Sequence, residues 1–212
     1  MAGKGYWPSL VFAGYTNRWA AYNAMESEMI KSEFQSINKL SASERQLKEA
    51  IRLLFEQRDP VSIHTLTAAA YQILHDISKK KGYSSFLKDF VAEKVVKEER
   101  RKDWIRLINK AQNFFKHADK DDTDIIEFSS ETTAFLIFGA VEMYRHLTGG
   151  IFHEAQVFTM WFFLKYEDFL LESNFKQLVG QAKRSGPSSD NINAFLDLLY
   201  NPNLINQAMR TE

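Results

Sequence analysis

Ser41-Ala-Ser-Glu-Arg-Gln-Leu-Lys-Glu-Ala-Ile-Arg-Leu-Leu-Phe55 is the stretch that decides the fold class. It opens with a hydroxyl three residues ahead of a glutamate, the reciprocal arrangement that satisfies free N–H groups at a helix start. Leu47, Ala50, Ile51, Leu54 and Phe55 then recur at helical spacing, so one face of this helix is apolar and has to be covered.

The same period continues down the chain. Asp59-Pro60 predicts the next start, because aspartate caps well and proline costs nothing at the first helical position. Its stripe is Ile63, Leu66, Ala70, Ile73, Leu74 and Ile77, with Gly82 as the stop. A third helix is expected over about 84–99, with Phe86, Phe90, Val91 and Val95 inward. A fourth, over 101–118, is expected to bury Trp104, Ile105, Ile108, Ala111, Phe114 and Phe115. After the loop Asp119-Lys-Asp-Asp-Thr-Asp124 and an extended piece, Ile125-Ile-Glu-Phe128, Ser130 caps a fifth helix that Gly149-Gly150 closes. The sixth, 151–171, carries Phe152, Val157, Phe158, Trp161, Phe162 and Phe169. Ser185-Gly-Pro-Ser-Ser189 reads as a linker before a short amphipathic helix at 190–200. From about residue 16, Trp19, Tyr22, Met25 and Met29 lie roughly a turn apart. The expected architecture is all-α: a bundle of about six main helices over 41–184, a helical N-terminal extension over 1–40, and a linker with a short C-terminal helix over 185–212.

Composition narrows the function classes. The 212 residues are 45% hydrophobic and contain no cysteine, which excludes disulfides, thiolate metal sites and a cysteine nucleophile. The most apolar region, 132–171, has uncharged runs of only ten residues, 132–141 and 155–164, against the ~20 that a membrane helix needs. No membrane association and a cytoplasmic location are the expectations. The 27 basic and 27 acidic residues cancel overall but not locally: 79–120 carries a net +7 and 121–172 a net −8. Such halves can face each other within one fold or between two subunits, and Lys79-Lys-Lys81 and Arg100-Arg-Lys102 also offer a surface for RNA.

Motifs for metal or phosphate chemistry are missing. The aspartate-rich loop has Asp124 where a calcium loop needs glycine and Ser130 where it needs a bidentate carboxylate. The histidines at 64, 75, 117, 146 and 153 form no metal-binding pair, so neither a metal nor a cofactor is expected. His64, near a helix start, reads as a hydrogen-bonded structural histidine.

One string stands apart. In Gln112-Asn-Phe-Phe-Lys-His117, Gln112 and Lys116 are four residues apart, as are Asn113 and His117, while the phenylalanines turn to the core. Gln112-Asn113-x-x-x-His117 resembles the motif of HEPN proteins, helical bundles several of which are ribonucleases in bacterial defence and toxin systems. Asn113 and His117 stand on the positions of the family's polar residue and histidine, whereas Gln112 stands where the family has arginine. The resemblance covers about residues 43–165. It implies a metal-independent cleavage in which the ribose 2′-hydroxyl attacks, His117 moves the proton, and a cation holds the phosphate. With Gln112 neutral, Lys110 or Lys116 would supply that charge, and Arg100, Arg101 and Lys102 would extend the RNA contact. The segments Asp59-Pro-Val-Ser-Ile-His-Thr-Leu66 and Asn113-Phe-Phe-Lys-His-Ala-Asp119 also look like those of an uncharacterised bacterial family.

Three functions follow as expectations. The first is a HEPN-like interaction or regulatory protein without strong catalysis, a homodimer by expectation. In it Phe158, Trp161, Phe162, Phe163 and Tyr166 either offer an apolar surface to a partner or second copy or, as is expected for most of them, fill the core of the monomer. The second is a ribonuclease using His117 at a dimer cleft. The third is a bundle that binds a small molecule in its interior.

Overall fold

The computed structural model describes residues 35–91, 93, 97–117, 123–170 and 173–204. The chain divides between Ile37 and Asn38 into two units, and the second holds the helical body. The helix expected from residue 16 lies outside the described residues.

The all-α reading holds: there is no strand among the described residues. Helix α1 spans Lys39–Phe55, α2 Pro60–Lys80, α3 Arg101–Phe114, α4 Glu131–Thr148, α5 His153–Lys165, α6 Asn174–Ser185 and α7 Ile192–Tyr200. A π-helical segment, Phe86–Val91, and a short 3-10 turn, Glu98–Arg100, lie between α2 and α3.

Several boundaries differ from expectation for identifiable reasons. Helix α1 starts before Ser41, because Asn38 is the cap: its side-chain oxygen accepts from Ser41 N–H at 2.8 Å. Glu44 consequently does not reach back to a cap and instead pairs with Lys48 at 2.7 Å and accepts from the Tyr144 hydroxyl at 2.6 Å. At α2 the expectation holds: Asp59 accepts from Ser62 N–H at 2.7 Å, and Pro60 occupies the first position. Within the stretch 84–99, expected as one helix, the described residues include the π-helical segment and the 3-10 turn; the side chains of Phe86, Phe90, Val91 and Val95 lie outside what is described. The sixth expected helix ends at Lys165 rather than 171, and α6 is an additional helix that the sequence pattern does not mark out.

Packing explains the stripes. Helix α2 is an antiparallel partner of α1 on one side and runs parallel to α4 on the other, so its buried face is wider than the apolar stripe. It includes His64, Thr67, Tyr71 and Ser78, while Leu66, Ile73 and Ile77 are only half-buried. Gly139 allows the α2–α4 approach, since a Cβ there would sit 3.1 Å from the Tyr71 ring. The first core cluster joins α1, α4, α5 and α7 through residues such as Phe55, Ile137, Phe158 and Phe195, with Ile63 of α2 and Val179 of α6 added to it. The second joins α1, α2 and α4 to Leu87.

Of the two roles expected for the aromatic residues of 151–171, core filling accounts for most of them. Phe158, Trp161 and Phe162 are buried, and Phe163 and Tyr166 are half-buried in a web of ring contacts with Phe135 and Phe138. Rings from α4 interleave with those of α5, so most of this surface is spent inside the body. The C-terminal helix docks on the same body. Phe195 stacks on Phe55 with ring centres 5.8 Å apart, Trp161 Nε1–H donates to the Ser189 carbonyl at 3.0 Å, and the Tyr200 hydroxyl bonds Glu56.

Candidate functional site

Helix α3 and the turn that follows it carry the residues singled out for RNA chemistry, and their geometry separates them. The helix ends at Phe114, earlier than the expected 118, and the chain leaves through a turn at Phe115 and Lys116. The backbone N–H groups of Lys116 and His117 both donate to the Asn113 carbonyl, at 3.2 and 3.1 Å, so Asn113 and His117 stay adjacent. Both side chains are exposed, with Lys110 and Lys116 exposed beside them. Gln112 is half-buried and sits about 100° round the helix from Asn113, so it does not share their edge. Arg100, Arg101 and Lys102 lie at the other end of α3, about 20 Å away along the axis.

These N-terminal cations are partly occupied. Arg100 pairs with Asp103 at 3.4 Å, and Arg101 donates to the Glu93 carbonyl at 3.0 Å. Lys88, counted in the same basic stretch, is turned inward: it donates to Gln72 at 2.8 Å and lies over the Tyr71 ring, and burial pulls its ammonium below the usual lysine range. The basic segment is therefore not one continuous face.

The apolar side of α3 does something that spacing alone does not reveal. Trp104, Ile105, Ile108, Ala111, Phe114 and Phe115 are expected to be buried, yet α3 has no fully buried residue. Its inner face instead roofs a cavity of about 510 Å³ whose other walls come from α2, α4, Leu87 and the segment 126–129. Trp104, Ile108, Phe128, Phe135 and Leu136 make the walls apolar. Trp104 is held by its own polar edge, since Nε1–H donates to the Leu87 carbonyl at 2.9 Å. The volume falls within the range of pockets that enclose drug-sized molecules. Lys110 and Glu127 are the charged residues of the lining, and both are exposed.

His64 is one of the polar residues of this lining, with Ser129 and Thr132. It sits in the second turn of α2, where Ile63, Thr67 and Ala70 place it on the side facing α4. Only 3% of it is exposed. Its Nδ1 lies 2.9 Å from the Thr133 hydroxyl, while Nε2 is buried with no hydrogen-bond partner. Phe128 and Phe115 meet the imidazole edge-on at 5.1 and 5.8 Å, and meet each other at 5.2 Å. Removal from water disfavours the charged ring and lowers its pKa from 6.5 to about 4, so the imidazole is neutral at physiological pH.

The structural role expected for His64 is present at Nδ1, but the other nitrogen is left over. The sequence signals the burial of the side chain, though not the fate of that nitrogen: His64, Thr67 and Tyr71 recur at helical spacing beside the apolar stripe of α2, a polar line along a buried face. A smaller cleft of about 380 Å³ at the end of α2 has Tyr83, Glu142 and His146 in its lining, together with buried Ser78, whose hydroxyl also has no hydrogen-bond partner. No group of histidine, aspartate and glutamate side chains suited to a metal ion occurs among the described residues. Nor is any helix among them long and apolar enough to cross a membrane.

No family model matches the chain, and no curated protein or solved structure matches it either.

Proposed function

We propose that this protein is a small-molecule-binding helical bundle, and that the cavity under α3 is its binding site. The observation that carries the reading is an apolar cavity of about 510 Å³, with Trp104, Ile108, Phe128, Phe135 and Leu136 in its walls. Helix α3 is the natural transmitter, since the same helix walls the cavity and carries the exposed Asn113 and, just beyond its end, His117.

The test is binding of the uncharged dye Nile red, followed by its fluorescence. Saturable binding by the native protein is expected, with at least tenfold weaker binding by Ala111→Trp, which fills the cavity from its wall. Absence of saturable binding, or undiminished binding by a folded Ala111→Trp variant, overturns the reading.

A second reading keeps the HEPN resemblance: an RNA-contacting protein, acting as an interaction module or as a ribonuclease between two subunits. The exposure of Asn113, Lys116 and His117 side by side, with Lys110 near, supports it. It expects RNA cleavage by the purified protein and its loss in His117→Ala. Equal cleavage by both, or none, removes catalysis and leaves only RNA binding to be measured, with Lys110→Ala and Lys116→Ala expected to weaken it.

A further inference from the structure

The exposure of its lining residues gives the cavity under α3 a depth. Its floor is His64, Leu87 and Leu136, all buried. Its mouth is Leu107 and Lys110 on α3 with Glu127, Ser129 and Thr132 on the stretch that leads into α4, all exposed. Trp104, Ile108, Phe128 and Phe135 are half-buried between the two levels.

The two levels differ in what they offer a ligand. Polar atoms of the floor and walls are engaged or shut away. His64 Nδ1 meets Thr133, Nε2 is closed off with Phe115 and Phe128 against the ring, and Trp104 Nε1–H donates to the Leu87 carbonyl. A polar group pushed to that depth would lose its water without a replacement, so the part of a ligand that enters is apolar. Its polar end stays at the mouth.

The hydroxyls of the mouth are taken up locally. Thr132 donates to the Ser129 carbonyl at 2.7 Å, and the Ser129 hydroxyl accepts from the Glu131 N–H at 3.4 Å. That leaves Lys110 and Glu127, neither of which forms an ion pair with another described residue. The two signs extend beyond the lining. Lys102, Arg106 and Lys110 follow one another at four-residue steps along the exposed side of α3, with Asp103 against Arg106 at 2.9 Å. Asp124, Glu127 and Glu131 are exposed on the other side. A head group of one sign is drawn to one side of the mouth and repelled by the other, whereas a head with both signs gains from each. The long, flexible stem of Lys110 lets its charge follow the ligand.

We propose that the cavity binds a zwitterion with a large apolar body, of the kind an aromatic amino acid forms. The ring lies among Trp104, Phe128 and Phe135, the carboxylate at Lys110 and the ammonium at Glu127. This rests on the ligand-binding reading above and names its ligand class.

Four probes on one skeleton test it by displacement of Nile red: naphthylalanine, its amide, its N-acetyl derivative and the N-acetyl amide. At about pH 6, below the α-amino range, they carry a zwitterion, a cation, an anion and no charge. At low salt the zwitterion is expected to bind about twofold to fivefold more tightly than each of the others, the range of an exposed ion pair. Salt at about 1 M should bring the four together, because the charges are exposed. Lys110→Glu should make the cationic amide the tightest of the four, and Glu127→Lys the anionic N-acetyl form. With both reversals combined, the zwitterion should lead again. A native protein that binds all four alike, or prefers a singly charged probe, overturns the ligand class, as does an order that neither reversal changes. In those cases Nile red still binds, and the cavity stands as a binding site. Absence of saturable Nile red binding overturns the site and the proposal with it.

Discussion

His64 shows how much one residue's surroundings change its chemistry. In the unfolded chain it titrates near 6.5, and in the fold near 4, because burial penalises the imidazolium. Between these values the unfolded state holds a proton that the folded state does not, so stability falls as pH drops from 6.5 towards 4 and levels off below. The total is about 3 kcal/mol. Urea unfolding at a series of pH values should show this loss in the native protein. The difference between native and His64→Leu should change by about that amount across the window and be constant above about pH 7; a constant difference throughout would contradict the burial argument. A hydrogen-bonded His64 near a helix start is legible in the sequence, and Nδ1 fits it. Nε2 is not legible, because whether a second nitrogen finds a partner depends on α4 and on 126–129, which are distant in sequence. The Gln112–His117 string is the opposite case. Local spacing groups its residues, but helix geometry turns Gln112 away from Asn113, and α3 stops before His117.

Among the elements, helix ends are the most legible where one residue type solves the geometry. Gly82 closes α2 with a left-handed φ of 77°, while its N–H donates to the Lys79 carbonyl and the Tyr83 N–H to Ser78. The end of α1 repeats this motif bond for bond: Gln57 N–H donates to Leu54 and Arg58 N–H to Leu53. There the left-handed position, at φ 53°, is filled by glutamine, which carries a Cβ penalty that glycine avoids. No glycine marks the spot, so nothing in the residue pattern warns of it. Gln57→Gly is expected to raise stability by about 0.5–1 kcal/mol, and Gly82→Ala to lower it by about 1 kcal/mol. Thermal unfolding of the two variants checks both signs; a destabilised Gln57→Gly would mean that the glutamine side chain contributes more than its backbone strain costs. The π-helical segment before α3 has no comparable marker, because its apolar spacing differs from an α-helix by a single residue.

For the whole molecule, the all-α class follows from periodicity alone, whereas the division of labour among the helices does not. Apolar spacing reports that a face is covered, not whether side chains or a cavity cover it. Helices α1, α2, α4, α5 and α7, with Val179 of α6, share the two core clusters, and α3 contributes to them only through half-buried Ile108. The amphipathic pattern of α3 resembles that of a core helix because a cavity wall and a core face ask for the same residues. This arrangement has a consequence for chain continuity. Cleavable lysine and arginine side chains cluster from Lys97 to Lys116, on the helix with the fewest anchors. Within residues 38–204, brief trypsin treatment should cut there first, since segments with little buried surface open at the lowest free energy. The pieces on either side, α1–α2 and α4–α7, remain interlocked through Phe55, Tyr71, Ile137 and Phe195. A nicked molecule should therefore elute at the size of the intact one, and the two fragments, expressed separately, should reassemble into a body that has lost its roof but kept its frame.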